Sequence, residues 1–435
     1  MKGIFLILCI CLPFFLHAQK EVRTYYDTRK SKIQEQYQVA PDNETLVGKY
    51  RRYYENGNVM VEGSFEDGEK SGPFTEFHEN GRVARKIGYV NGMRHGLVEI
   101  FDEEGKSIQK AYYENDILAD SVQMFFASGN LRKETFFVKG KPEGLVKEYY
   151  PGGNLKKEIT YDKGKPNGVT RTFYENGKIE TEANYADGIL KGYFKTYYDN
   201  GQLQTVSTMA ANSKNGQYKS YDREGNLILE GNFLNGQLHG DNVGYYADGA
   251  VQHRFSYKEG KKVGTNYEYF PSGKIKTREV GTNNGIDLAR YSYSENEMLE
   301  AETKFRNESP HGTWTFYFPG TSIPKIKETY ADGKLTGIRF TYHPNGKLAS
   351  QETYKFNLRA GPFKTWFEDG TVQSAGEFRN SRKHGLFTAF YPNGKMQEQG
   401  EYVADKKHRE WKEFDEQGNL KNTLVYRAGV LIPVK

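Results

Sequence analysis

Histidine is the residue type with the most regular placement for chemistry. Five of the nine histidines, His95, His239, His311, His384 and His408, fall at one place in a 24-residue frame. Imidazoles held together bind zinc at N–metal distances of about 2 Å. In a β-array, frame-mates lie two strands apart, roughly 9.6 Å. Only His384 and His408 are frame neighbours, at a spacing awkward for one ion. The plainer reading is a turn histidine bonded to local backbone. Acidic turns such as Asp102-Glu103-Glu104-Gly105 and Glu368-Asp369-Gly370 offer calcium-type oxygens but lack the alternating ligands and terminal Glu of an EF-hand loop. Basic clusters at Arg382-Lys383-His384 and Lys406-Lys407-His408-Arg409 could meet a polyanion or an anionic bilayer. Asp405 and Glu410 flank the second, which favours a solvated turn. There is no His-Glu-x-x-His, no Gly-x-Ser-x-Gly and no Gly-x-x-x-x-Gly-Lys-Ser/Thr. Carboxylates recur in every unit, so no pair stands out as acid and base. The expectation is a non-enzyme with no catalytic residue, no metal and no cofactor, and no ligand-binding residue is singled out.

Composition narrows the class further. Lys+Arg (61) and Asp+Glu (56) nearly cancel over 435 residues, while 33 Tyr, 27 Phe and 3 Trp make the chain rich in rings. Disordered chains have the opposite profile. A balanced charge gives no nucleic-acid footprint, so no nucleic-acid partner is expected. Residues 1–18 read as a signal peptide: Lys2, an apolar stretch from Ile4 to Leu16, and Ala18 before a cut at Gln19. Ile10 before Cys11 argues against lipidation. Cys9 and Cys11 are the two cysteines, so the remainder is without disulfides or thiolate sites. The expected location is beyond the inner membrane: periplasm, outer membrane or extracellular. No second apolar run approaches the ~20 residues of a membrane-spanning helix.

What must position these residues is a repeat. From Gly48 onward, sixteen units of 24 residues end at Ile432, with one extra residue near Gly320–Thr321. Numbering each unit from its opening residue, position 6 is always aromatic: Tyr53, Phe77, Phe101, Phe125, Tyr149, Phe173, Tyr197, Tyr221, Tyr245, Tyr269, Tyr293, Tyr317, Tyr342, Trp366, Phe390 and Phe414. Position 18 is aromatic except at Met209 and Gly281, and position 10 is glycine except at Glu297 and Thr321. Position 12 is mostly Leu, Ile or Val.

Such a unit reads as a β-hairpin. The turn glycines, among them Gly57, Gly81, Gly105, Gly129, Gly153 and Gly177, mark a position needing positive φ. Two turns compete: an Asn-Gly loop pairing position 7 with 12, and a glycine-bulged type I turn pairing 6 with 12. The bulged turn is preferred because it puts columns 6 and 18 on one face, where they would form a stacked aromatic ladder. The expected fold is all-β: an elongated, single-layer antiparallel β-meander of about sixteen hairpin repeats, each contacting mainly its neighbours. Residues 19–47 form a degenerate N-terminal capping segment, and 48–435 the repeat array. The frame weakens at 281–311, through Gly281, Asn284, Leu288, Glu297 and Glu308, which marks a bend, a weak joint or a specialised contact.

The pattern Tyr-x-x-Gly-x-x-His-Gly (Tyr89–Gly96, Phe233–Gly240), followed by an apolar strand and an Asn-Gly turn, resembles the MORN repeat. It is closest to the variant of bacterial proteins described as YwqK family antitoxins. The Tyr-Asp repeat of shell-forming toxins is a rival through Tyr-x-x-x-Gly-x-Leu, but Gly-x-x-x-Gly at Gly164–Gly168 and Gly188–Gly192 fits MORN better. The resemblance implies a twisted antiparallel sheet with a binding or scaffolding role, and no catalytic residues. The expected function is an exported, non-enzymatic scaffold binding another protein in the cell envelope. Its alternatives are an antitoxin-like neutraliser of a toxin partner and a membrane-lipid or glycan-binding module. The oligomeric state is open.

Overall fold

Every unit must return its chain within about eight residues, and two short turns with left-handed backbone do this. The computed structural model describes residues 19–282 and 286–432; the expected signal peptide at 1–18 and Asn284 lie outside the described residues. Forty strands are present and no helix among the described residues. The protein is an all-β antiparallel meander of hairpin repeats, in which sequence neighbours pair.

The first turn is the bulged one. Tyr53 pairs with Val59, Phe77 with Val83 and Phe173 with Ile179, position 6 against 12. The Gly57 N–H donates to the Tyr54 carbonyl at 3.0 Å, and the Tyr54 N–H to the Asn58 carbonyl at 2.8 Å. The six named turn glycines hold φ between 83° and 93°, a region that side chains with a Cβ avoid. Glu297 keeps φ at 60° in the same place without being glycine. The extra residue at 320–321 is absorbed within a turn, leaving Tyr317 paired with Pro324.

A second bulge, one step further from the turn, overturns the expected face assignment. Position 5 pairs with 14 and position 6 with 12, as in Arg52–Val61 and Tyr53–Val59. Residue 13 is therefore left over, and the alternation of side chains reverses across it. Positions 1, 3 and 5 share one face with 18, 16 and 14; positions 2, 4 and 6 share the other with 17, 15 and 12. The sixteen rings from Tyr53 to Phe414 thus do not join column 18 in a ladder. They are half-buried on the opposite face, beside charged neighbours such as Lys86 against Phe101 and Glu230 against Tyr245.

The rings of column 18 instead meet position 3. Tyr50, Phe65, Phe74 and Tyr89 follow one another edge to face at 5.4, 5.6 and 5.2 Å between centroids. Phe387, Tyr402 and Trp411 repeat this at 5.4 and 4.9 Å. Position 16 lies between successive position-3 side chains, and where it is glycine, as at Gly63 and Gly400, it makes room for a large ring. A Cβ on Gly63 would stand 2.6 Å from the Phe74 ring, and one on Gly400 2.2 Å from Trp411. Phe74 and Trp411 are fully buried as a result. Where position 3 is valine, as at Val98, position 16 regains volume as Ile87 and Ala111.

The second turn is a two-residue hairpin with both central residues left-handed, such as Asp67 (φ 48°) and Gly68 (φ 84°). This type matches the strand twist. It pairs position 18 with 23, as in Phe65–Lys70.

By contact the chain divides into two compact units, one of residues up to 204 with 209–212, the other of 205–208 with residues from 213 onward. In the first, Lys20–Tyr25 and Ile33–Val39 pair as a further hairpin with Tyr25 opposite Ile33, and the second strand continues onto Leu46–Tyr53. In the second, the described strands that open the irregular stretch are paired without interruption. Ile275–Thr282 meets Asp287–Tyr293 from Thr277–Ser292 to Thr282–Asp287 without the register shift seen at other second turns.

Trp411→Ala removes the most buried ring. It should cost about 3–5 kcal/mol by cavity formation, and in a repeat array the loss stays local. Hydrogen exchange read by mass spectrometry should accelerate across 385–427 and leave 48–200 protected; equal loss of protection in both would refute neighbour-only coupling.

Candidate functional site

The second turn delivers position 23 onto the ring-bearing face, beside the rings at 3 and 18 of the following unit. Lys70 Nζ lies 4.9 Å from the Phe74 centroid and 4.8 Å from Tyr89. Lys214 sits over Tyr218 and Phe233 at 4.5 and 5.0 Å, Lys383 over Phe387 and Tyr402 at 4.6 and 5.1 Å, and Lys407 over Trp411 and Tyr426 at 3.9 and 5.6 Å. Each contact is worth about 0.5–2 kcal/mol. Lys383 and Lys407 are therefore caps on rings rather than members of solvated basic turns, and Lys407 also pairs with Glu398 at 2.8 Å.

The first turns are stapled to one another. The Tyr54 hydroxyl donates to the Phe77 carbonyl at 2.8 Å, Tyr150 to Phe173 at 2.8 Å and Tyr391 to Phe414 at 2.9 Å. His78 and His343 place a ring nitrogen on the same carbonyl, 3.1 and 2.9 Å from Phe101 and Trp366. One step on, Asn56, Asn80, Asn176 and Asn345 donate to carbonyls of the next turn at 3.2, 2.9, 2.9 and 2.7 Å. Lys178 and Lys347 add a third bond at 2.7 and 2.6 Å. The Asn-Gly-Lys signature is thus a fixture between units as well as a turn within one.

The histidines of position 24 are spread along the array. The backbone N–H of His95, His239 and His311 donates to the carbonyls of Gly88, Asn232 and Lys304 at 2.8, 2.9 and 2.9 Å. His384 and His408 pair with Glu377 and Glu401 across adjacent strands. Among the described residues, no group of three or more His, Cys, Asp or Glu is arranged to hold a metal ion.

Charged side chains on the other face form ladders. Arg171 bridges Glu158 at 3.0 Å and Glu182 at 2.8 Å, and Lys195 reaches Glu182 at 3.2 Å. Burial alone would raise the Glu182 carboxyl; its bonds to Arg171 and Lys195 outweigh this and hold it below its ordinary value. An anchored carboxylate of this kind suits a structural ion pair rather than proton transfer.

One stretch of that face departs from polarity. Leu97 (50% exposed) stands opposite Tyr112 (39%). Phe136 (41%) and Leu145 (37%) occupy the same positions, 17 and 2, in the units that follow. Exposed apolar residues recur at position 2 elsewhere, as Ile338 (40%) and Leu386 (61%), but position 17 holds a ring only at Tyr112 and Phe136. Exposed rings beside leucines on a largely polar face are the usual mark of a binding site. Column 17 would have revealed them in the sequence once the register was known.

Eight segments of the chain match the MORN repeat variant. They are residues 46–67, 94–115, 142–163, 166–187, 190–209, 214–235, 335–356 and 383–404, together less than half of the chain. All begin at position 23, and the longest step, from 214 to 335, is five periods and one residue, as the extra residue at 320–321 requires. No curated protein matches the chain. A Tc holotoxin pore of Photorhabdus luminescens is similar at 9% identity over 94% of this chain and 25% of its own, with a TM-score of 0.16. A TcdB2–TccC3 structure is similar at 11% identity over 95% and 28%, with a TM-score of 0.13. A Lactobacillus plantarum protein is similar at 12% identity over 78% and 96%, with a TM-score of 0.12. The chain spans about a quarter of the toxin chains' length, and superpositions this weak decide nothing about fold or function.

Two tyrosines of the array give a pH signature. Burial, and then the Glu35 charge 3.0 Å from its hydroxyl, pushes Tyr50 up to about 12. Burial and the bond to Glu328 at 2.9 Å do the same for Tyr330, also about 12. A raised folded pKa favours the neutral phenol in the folded state. Its stabilisation is complete below the unfolded value of ~10 and is lost as pH rises from there toward 12. Thermal melts should show Tm falling above pH 10, and less steeply in Tyr50→Phe and Tyr330→Phe than in the parent; identical slopes would contradict the assignment.

Proposed function

We propose that the protein is an exported, non-enzymatic scaffold that binds another protein in the cell envelope. The exposed apolar patch of Leu97, Tyr112, Phe136 and Leu145 carries this reading. It lies on strands whose turns are tied to their neighbours, so little ordering cost opposes docking. Rings and branched aliphatics, with the adjacent Lys110 held by Glu99 at 3.3 Å, suit the apolar centre of a protein interface better than a lipid headgroup or a sugar. The MORN variant units favour a scaffold, and the apolar stretch at 4–16 behind Lys2 favours export. The non-enzymatic reading is supported by the position-24 histidines being spread along the array and by Glu182 being held in ion pairs with Arg171 and Lys195. A toxin neutraliser is a special case with one tight partner.

The test is a crosslinking pull-down from fractionated cells with the tagged protein and its Leu97→Glu/Phe136→Glu variant. One stoichiometric envelope protein should be recovered, and the variant should lose it at least about tenfold, as expected for hot-spot residues. Its identity separates scaffold from neutraliser. Equal recovery by both forms, or recovery of lipid or wall material alone, would overturn the proposal.

A further inference from the structure

In one unit alone both ring places lack a ring, and a cavity stands there. In the unit opening at Gly264, the ring places at 3 and 18 hold Asn266 and Gly281. The cation that would cap them is Lys262. With neither ring present, its Nζ turns to the Phe255 ring, 3.6 Å from the centroid, and to Glu279 at 3.4 Å. Asn266 does not fill the space. Its side chain accepts from the Ser256 N–H at 2.7 Å and donates to the Val263 carbonyl at 3.3 Å, which holds it against the strand, almost wholly buried.

The result is a cavity of about 760 Å³ lined by Tyr257, Lys262, Asn266, Glu279, Leu288 and Arg290 among others. That is within the range of about 300–1,000 Å³ in which small ligands bind. Gly281 is not there for backbone reasons: its φ is not among the positive ones. A Cβ on it would meet nothing nearer than the Gly264 carbonyl at 3.5 Å. Met209, the other exception in column 18, is itself buried, so missing aromaticity alone does not make a void.

The charges around the cavity select a sign. Arg290 donates to Glu279 Oε1 from Nε at 2.9 Å and Nη2 at 2.7 Å, and Lys262 sits on Oε2. With Lys261 and Glu308 also on the lining, three cations face two carboxylates, which leaves a surplus of one positive charge. Lys262 and Arg290 are about two-fifths exposed, facing the opening rather than sealed behind it.

We propose that this cavity binds an aromatic carboxylate. Its ring takes the place vacated at positions 3 and 18, beneath Lys262 and beside Tyr257 and Leu288. Its carboxylate meets Arg290 and Lys262 in charge-assisted bonds. The ligand is either a free aromatic acid or the C-terminal aromatic residue of a peptide. The site is independent of the apolar patch, and its failure would leave the scaffold reading untouched.

Calorimetry on the full chain tests this with 3-phenylpropionate, hexanoate, 2-phenylethylamine and a Gly-Gly-Phe peptide with a free or an amidated end. Saturable binding of phenylpropionate or of the free-ended peptide is expected, with hexanoate, the amine and the amide at least about tenfold weaker. Whichever of the two bound forms is tighter identifies the source. Gly281→Tyr restores the residue class found in the rest of the column, so it should raise Tm while abolishing binding. Arg290→Gln keeps the ring place open and should weaken binding about tenfold, a reading that stands even if the tyrosine variant does not fold. No saturable binding of either probe, binding retained in both variants, or equal binding of hexanoate would overturn the proposal.

Discussion

A single surplus residue per hairpin organises this protein. Behind the type I turn, position 6 pairs with 12 and position 5 with 14, so residue 13 is left over, and that residue reverses the facing of every side chain beyond it. Without the reversal, two aromatic columns would crowd one side of the sheet. With it, columns 3, 16 and 18 form one packed face, while column 6 sits among charges on the other. Every site described here follows from which column faces where.

The packed face works by complementation across neighbouring strands. Gly63 makes room for Phe74 and Gly400 for Trp411, while Val98 is compensated by Ile87 and Ala111. Lysines from the second turn lie over the finished ring pairs. A thin sheet has little interior, so rings, which bury much area on few rotatable bonds, are an economical filling. The cations close the layer against water without losing their own solvation. Where the scheme lapses, as between Asn266 and Gly281, polar groups take over and space opens.

The period, the hairpins, the bulged turn and the likeness to the MORN repeat variant were legible from the sequence, because glycine and ring columns report backbone demands that each unit shares. The face assignment was not. Counting alternation from position 12 to 18 ignores the unpaired residue 13, which only the pairing reveals. Position 3 was hidden for a different reason. It holds Phe74, Val98, Asn242 and Arg290 in different units, since its volume trades against position 16, and no column statistic captures a trade. Column 6 is constant for yet another reason: its carbonyl receives the staple from the preceding turn, while its ring shelters the ion-pair ladder. Of the sites, the gap at Gly281 was visible as a break in the frame, but the cavity there depends on Lys262 and Asn266, which no frame rule singles out.

The staples run in one direction. Tyr54, Asn56 and their equivalents donate forward, and the carbonyls they reach belong to the following turn. A complete unit therefore brings its own donors to the next and its own acceptors to the last. Such a piece can be copied in tandem without leaving an unmatched polar group at either joint. The gene of such a protein can lengthen or shorten in steps of 24 codons, whereas a smaller change is tolerated only inside a turn, where the extra residue at 320–321 already lies. The chain's length is in this sense a variable that duplication can set to the span of whatever it binds.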